Sequence, residues 1–88
     1  MTEIEKQLYN LSNCRVRMSC PKRYKESIVG VLREFWIDTL AEDRINFNFK
    51  TDKCEFNHGF DKPHKFEECG NSLIFYTENV EYIFEIIN

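Results

Sequence analysis

The stretch that decides the predicted fold is residues 22–41, which read KRYKESIVGVLREFWIDTLA. Its apolar side chains recur every three or four residues, which is the spacing of one helical face. The stripe consists of Tyr24, Ile28, Val31, Leu32, Phe35 and Leu40, and it is widened by Trp36 and Ile37. Gly30 lies inside the pattern, where it costs a helix about 1 kcal/mol relative to Ala. The stretch therefore predicts one long helix.

Shorter patterns flank this stretch on both sides. Thr2 and Glu5 have the spacing of a capping box, and the apolar residues after them predict a short helix over residues 3–11. Residues 14–20 alternate between apolar and polar side chains, which is typical of a half-buried strand. The same alternation predicts strands at residues 45–50, 54–60, 72–77 and 80–87, with the last two joined as a hairpin across Glu78 and Asn79.

These elements predict a small α+β protein. A length of 88 residues corresponds to a single domain, residues 1–88. We expect an antiparallel meander sheet of 3–5 strands, packed against one long helix and preceded by a short N-terminal helix. No helix separates the last strands, which excludes a parallel doubly wound sheet. The hydrophobic fraction of 42 % and the net charge of −3 exclude a disordered chain.

The sequence also predicts a compartment. Its first residues, MTEIEK, have neither the basic start nor the apolar run of a signal peptide. A membrane-spanning helix needs about 20 apolar residues, and the longest apolar runs here are far shorter. We therefore expect a cytoplasmic protein that does not contact a membrane. Thiols stay reduced in the cytoplasm, so the four cysteines are expected to be free or bound to metal.

Charge is distributed unevenly along the chain. Residues 1–33 carry seven basic and three acidic side chains, whereas residues 34–88 carry five basic and twelve acidic ones. The basic stretch, residues 15–25, either contacts phosphates of a nucleic acid or forms a solvated strand face that pairs with the acidic C-terminal strands. The acidic C-terminal hairpin either imitates a row of phosphates in a partner's groove or protects an outer strand from aggregation. The candidate partner-binding residues are Arg15, Arg17, Lys22, Arg23, Lys25, Glu78, Glu81 and Glu85.

Four residues form a candidate metal site: Cys54, His58, His64 and Cys69. All four are residue types that bind structural zinc, but their spacing matches no standard zinc finger. The site requires a loop, because a strand over residues 54–60 would place Cys54 and His58 about 13 Å apart. The alternative is that one or two of the cysteines are buried and the histidines lie on the surface.

No motif in the sequence indicates catalysis, so we expect a protein that is not an enzyme and has no cofactor other than this candidate zinc ion. The leading hypothesis is a small acidic binding domain that covers a surface of a protein partner, as an inhibitor or adaptor. This profile is typical of inhibitors encoded by phages and other mobile elements, so a viral origin is part of the hypothesis. The alternative hypothesis is a zinc-stabilised nucleic-acid-binding module. A homodimer paired through the edge of the C-terminal strand is compatible with the leading hypothesis.

Overall fold

Seven antiparallel strands and one short helix make up the described part of the chain. The computed structural model describes residues 2–37, 40 and 44–87. The strands form one sheet in the order β4-β3-β2-β1-β7-β6-β5, so β4 and β5 are its two edges. The elements are α1 (Glu3–Asn10), β1 (Arg15–Ser19), β2 (Ile28–Ile37), β3 (Arg44–Lys50), β4 (Glu55–Asp61), β5 (Lys65–Cys69), β6 (Ser72–Tyr76) and β7 (Glu81–Ile86).

Helix α1 begins where the sequence predicts it. The Thr2 hydroxyl accepts a hydrogen bond from the backbone N–H of Glu5 at 3.2 Å, which satisfies one of the free amides at the helix start. Leu8 and Leu11 are both 1 % exposed and belong to the core. The helix covers part of the sheet's inner face, since its side chains share a small cavity with Phe35 and Ile45.

The sheet curls so that strands distant in the sheet order meet across its inner face. Phe47 of β3 lies 6.1 Å from Phe84 of β7, measured between ring centroids. Phe60 of β4 lies 4.7 Å from Tyr82 of β7. All four side chains are fully buried. Aromatic side chains from both halves of the sheet therefore build one core, which needs no disulfide.

The prediction of one long helix is wrong. Residues 22–27 form a turn and bends, and residues 28–37 form strand β2; residues 38, 39 and 41 of the predicted helix lie outside the described part. The strand resembles a helix in sequence because its pairing with β3 shifts register between Leu32 and Glu34. Ile28 and Leu32, which precede the shift, and Phe35, which follows it, all face the inner side of the sheet. These three positions have the spacing of a helical stripe although the chain is extended.

The predicted size of the sheet is also wrong, since it has seven strands rather than 3–5 and no long helix to pack on. Besides β2, the sequence analysis missed β5, which is an edge strand with mostly exposed side chains. The other five strands are present within a residue or two of their predicted bounds. The predicted C-terminal hairpin is confirmed, because β6 and β7 pair from Ser72 opposite Glu85 to Tyr76 opposite Glu81.

Substitution of Gly30 by Ala is expected to destabilise the fold. A Cβ atom at Gly30 would overlap the ring of Phe49 and lie 2.6 Å from the backbone oxygen of Lys50. Backbone cannot move away as a side chain can, so we expect Gly30→Ala to lower the free energy of unfolding by about 1–3 kcal/mol. Urea denaturation measures this change.

Gly59→Ala is the matched control for this experiment. Its Cβ atom would meet Asn46 Oδ1 at 2.5 Å and Arg44 Nη2 at 3.0 Å, which both lie at the ends of flexible side chains. We expect a smaller loss of stability there. If Gly30→Ala lowers the free energy of unfolding no more than Gly59→Ala does, the close packing of β2 on β3 is contradicted.

Candidate functional site

The outer face of β1, β2 and β3 carries a basic groove. Arg15 of β1, Val31 of β2 and Lys50 of β3 lie side by side in the strand register. Neighbouring strands lie about 4.8 Å apart, so the Cα atoms of Arg15 and Lys50 are about 10 Å apart. Arg33 and Val29 complete the principal lining of this groove, which has a volume of about 500 Å³. We call it the basic groove.

Its three cations have no ion-pair partner among the described residues. Arg15, Arg33 and Lys50 are exposed, whereas Val29 and Val31 between them are half-buried. Asp52 is the one acidic side chain among the described lining residues. The groove therefore combines an apolar floor with a positively charged rim.

The structure divides the basic stretch predicted at residues 15–25. Arg15 and Arg17 both point outward, but Arg17 forms an ion pair with Glu85, which lies opposite it on β7. Lys22, Arg23 and Lys25 lie in the loop between β1 and β2. The structure brings Arg15 together with two cations that the sequence analysis did not select, Arg33 and Lys50.

The acidic residues of the C-terminal hairpin do not lie on an outer strand. Glu81 and Glu85 belong to β7, which has β1 on one side and β6 on the other. Glu78 is exposed in the turn between β6 and β7. The interpretation of these carboxylates as edge protection is therefore wrong. A dimer paired through the edge of β7 is excluded for the same reason, because both of its edges are occupied.

The structure does not gather the four candidate zinc ligands. Cys54 lies in the turn before β4 and contacts Thr51, while His58 lies within β4. His64 lies in the connection to β5, and Cys69 is the last residue of β5. Residues 55–61 form a strand, so Cys54 and His58 are separated by about 13 Å. Across the described ranges, no three His, Cys, Asp or Glu side chains are placed to share a metal ion.

A second groove, of about 590 Å³, lies beside His64 and Glu78 and is also lined by Asp61 and Lys62. Two of its charges are already neutralised within the chain. Asp61 accepts from Arg44 at 3.2 Å, and Lys62 lies 3.4 Å from a carboxylate oxygen of Glu5. This groove therefore offers less free charge to a partner than the basic groove does.

A polar cluster, which the sequence analysis missed, lies where the loop after β1 meets the inner face of the sheet. The Tyr24 hydroxyl lies 3.4 Å from His58 Nε2, and Arg23 donates a hydrogen bond to the Tyr82 hydroxyl at 3.3 Å. Burial and the charges of Arg23 and Arg44 lower the pKa of His58. Burial raises the pKa of Tyr82 to about 12. Only the alternation of residues 54–60 indicated that His58 faces inward.

Comparison with known protein families, with curated proteins and with solved structures finds no match to this chain. Helix α1 spans eight residues, and none of the described residues form a helix of the length and apolarity that crossing a membrane requires.

The separation of the four candidate ligands predicts that the chain does not retain zinc. We expect native mass spectrometry of untagged protein to show the metal-free mass, because a structural zinc site needs four ligands around one ion. Chelation is then expected to leave the unfolding midpoint unchanged, whereas one zinc ion per chain and unfolding after chelation would contradict the structure at residues 54–69.

Proposed function

We propose that this chain is a binding domain, not an enzyme, that covers an acidic segment of a protein partner with the basic groove. The observation that carries this proposal is the set of three cations without ion-pair partners in the described chain, Arg15, Arg33 and Lys50, around a floor of Val29 and Val31. Such a groove suits an extended segment in which carboxylates alternate with apolar side chains. The carboxylates contact the rim, and the apolar side chains cover the valines.

The distribution of charge on the outer face of the sheet supports this kind of partner. The groove lies on the outer face of the sheet, whereas α1 packs against the inner face. The other half of the outer face carries Glu81, which repels an acidic segment, whereas Glu67 on the same face is paired with Lys65 at 3.9 Å. Repulsion on one side and attraction on the other orient a bound chain, since charge complementarity acts mainly on specificity and rate of association.

The mode of action, the source and the compartment of the protein are proposed together with this function. An inhibitor or adaptor of this kind acts by occupying its partner's surface, and a source in a phage or other mobile element stays a hypothesis from composition. We propose the cytoplasm as its compartment, supported by four cysteines that are all free thiols.

A nucleic acid is the main competing occupant of the basic groove. Its phosphates would also bind the three cations. The net charge of −3 opposes it, because nucleic-acid-binding domains are normally basic. A second copy of the chain is another competitor, since Glu81 offers a carboxylate on the same outer face.

We expect a heptapeptide of alternating Glu and Val to shift the amide resonances of residues around the groove in ¹⁵N-labelled protein. The double variant Arg15→Glu/Lys50→Glu is expected to weaken this binding at least about tenfold, which corresponds to about 1.4 kcal/mol. The matched control is Lys22→Glu/Lys25→Glu, which changes the net charge equally but lies outside the groove. It should keep the affinity within about twofold.

Three results would contradict the proposal. The first is that the peptide causes no shifts confined to the groove at about 5 mM, a concentration that reveals even weak binding. The second is that a DNA or RNA 20-mer shifts the same resonances at a lower concentration than the peptide. The third is that light scattering gives a dimer mass that the groove variant returns to a monomer mass.

A further inference from the structure

Strand β4 is one of the two edges of the sheet, and its backbone pairs with β3 on one side only. The N–H group of Thr51 donates to the carbonyl oxygen of Cys54 at 2.8 Å, so these residues are the hydrogen-bonded pair that closes the turn between β3 and β4. Along an antiparallel ladder, hydrogen-bonded pairs alternate with pairs that share no backbone hydrogen bond. The backbone N–H and C=O groups of Glu55, Asn57 and Gly59 therefore point away from β3.

The side chains of the two strands agree with this assignment. Opposed residues that share no backbone hydrogen bond lie closer together, and their side chains meet. Asn48 and Asn57 are such a pair, and Asn48 Nδ2 donates to Asn57 Oδ1 at 3.0 Å. Within the described part of the chain, no backbone hydrogen bond reaches the outward groups of β4. An edge with unpaired N–H and C=O groups is a template for a further strand.

The two edges of the sheet differ in how they are protected against such pairing. Three of the five residues of β5 are charged, Lys65, Glu67 and Glu68. Charged side chains on an edge strand oppose the addition of another strand. Strand β4 is longer, with seven residues, and it carries one carboxylate at each end and no Lys or Arg. The centre of β4 therefore lacks the protection that β5 has.

We propose that the edge of β4 pairs with β4 of a second copy of the chain, antiparallel and around a two-fold axis beside Asn57. Because only outward backbone groups can bond across the edge, the two strands can shift against each other only in steps of two residues. In the register centred on Asn57, Glu55 of each copy pairs with Gly59 of the other. The same register brings Lys53 of each copy opposite Asp61 of the other.

Charge favours this register. Lys53 is exposed in the turn before β4 and forms no ion pair with the described residues, so it is available to Asp61 of the second copy. Asp61 bonds Arg44 of its own copy at 3.2 Å, and a carboxylate can accept from two cations. The next register, centred on His58, places Glu55 opposite Asp61. Opposite charges stabilise paired strands and like charges destabilise them, so β4 complements itself in the first register, as a two-fold interface requires.

This interface is separate from the basic groove, since no residue that lines the groove belongs to β4. Pairing through β4 extends the sheet beyond its edge and leaves the outer face of β1, β2 and β3 uncovered. A pair of short strands buries less than the about 1,200–2,000 Å² of a stable interface. We therefore expect a weak dimer, with a dissociation constant of about 0.1–1 mM.

The dimer is tested on the intact chain by sedimentation equilibrium between about 10 μM and 1 mM protein, which spans this dissociation constant. We expect the mass to rise from 10.6 kDa toward twice that value. Over the same range, hydrogen exchange of the Glu55, Asn57 and Gly59 amides should slow by at least about 1.5-fold, because bonds to the second copy protect them. The amides of β5 should keep their exchange rates.

Asn57→Pro removes one outward N–H group from the edge. Proline is tolerated where the N–H of an edge strand faces solvent, so we expect the ladder to β3 to remain and the chain to stay a monomer at about 1 mM. The matched control is Asn57→Ala, which also loses the bond from Asn48 but keeps the backbone N–H. We expect this control to dimerise with an affinity within about twofold of the unmodified chain.

Lys53→Glu keeps the test decisive if Asn57→Pro does not fold, because it changes only an exposed turn residue. It places a carboxylate opposite Asp61 at both ends of the paired strands, so we expect dimerisation to weaken at least about threefold. The matched control is Lys22→Glu, which changes the net charge equally but lies in the loop after β1. We expect this control to keep the affinity within about twofold.

Four results would overturn the proposal. The intact chain remains a monomer at about 1 mM, or its β4 amides exchange at a rate independent of concentration. Asn57→Pro folds and dimerises as Asn57→Ala does. Lys53→Glu weakens dimerisation no more than Lys22→Glu does. The mass rises beyond that of a dimer, because a two-fold edge pair closes after two copies.

Discussion

The register shift between Leu32 and Glu34 of β2 is the constraint on which the rest of the sheet depends. Residues 28–31 of this strand pair with β1, and residues 31–37 pair with β3. An extra residue bends a strand and increases its twist, so the two halves of the sheet turn toward each other. This turn brings Phe47 of β3 against Phe84 of β7, although two strands lie between them.

The same shift explains which parts of the fold the sequence could predict. Strand β3 has unbroken alternation, with Ile45, Phe47 and Phe49 buried, so its period of two is unambiguous. In β2 the shift changes the inward positions from even to odd numbers, and the result has helical spacing. The spacing of apolar residues alone cannot distinguish a strand with such a shift from a helix. Strand β5 was not predicted because an edge strand buries few side chains and so lacks a clear apolar pattern. Among its side chains only Phe66 is half-buried.

The candidate site shows a different limit of sequence reasoning. The basic stretch at residues 15–25 is continuous along the chain, but its members separate: Arg15 and Arg17 share the outer face of β1, where Arg17 pairs with Glu85, and the other three lie in the following loop. The basic groove instead draws one cation from each of three strands. The alternation of β3 placed Lys50 outward already at the level of sequence. The outward position of Arg33 could not be predicted from the sequence, because it depends on the register shift in β2.

The charge of the whole chain constrains what the basic groove can select. A net charge of −3 repels an acidic partner at long range, while the groove attracts it at contact. At physiological salt the repulsion is screened beyond about 8 Å, whereas contacts between adjacent groups are screened much less. Recognition therefore rests on the fit of carboxylates to three cations and of apolar groups to Val29 and Val31, rather than on electrostatic steering.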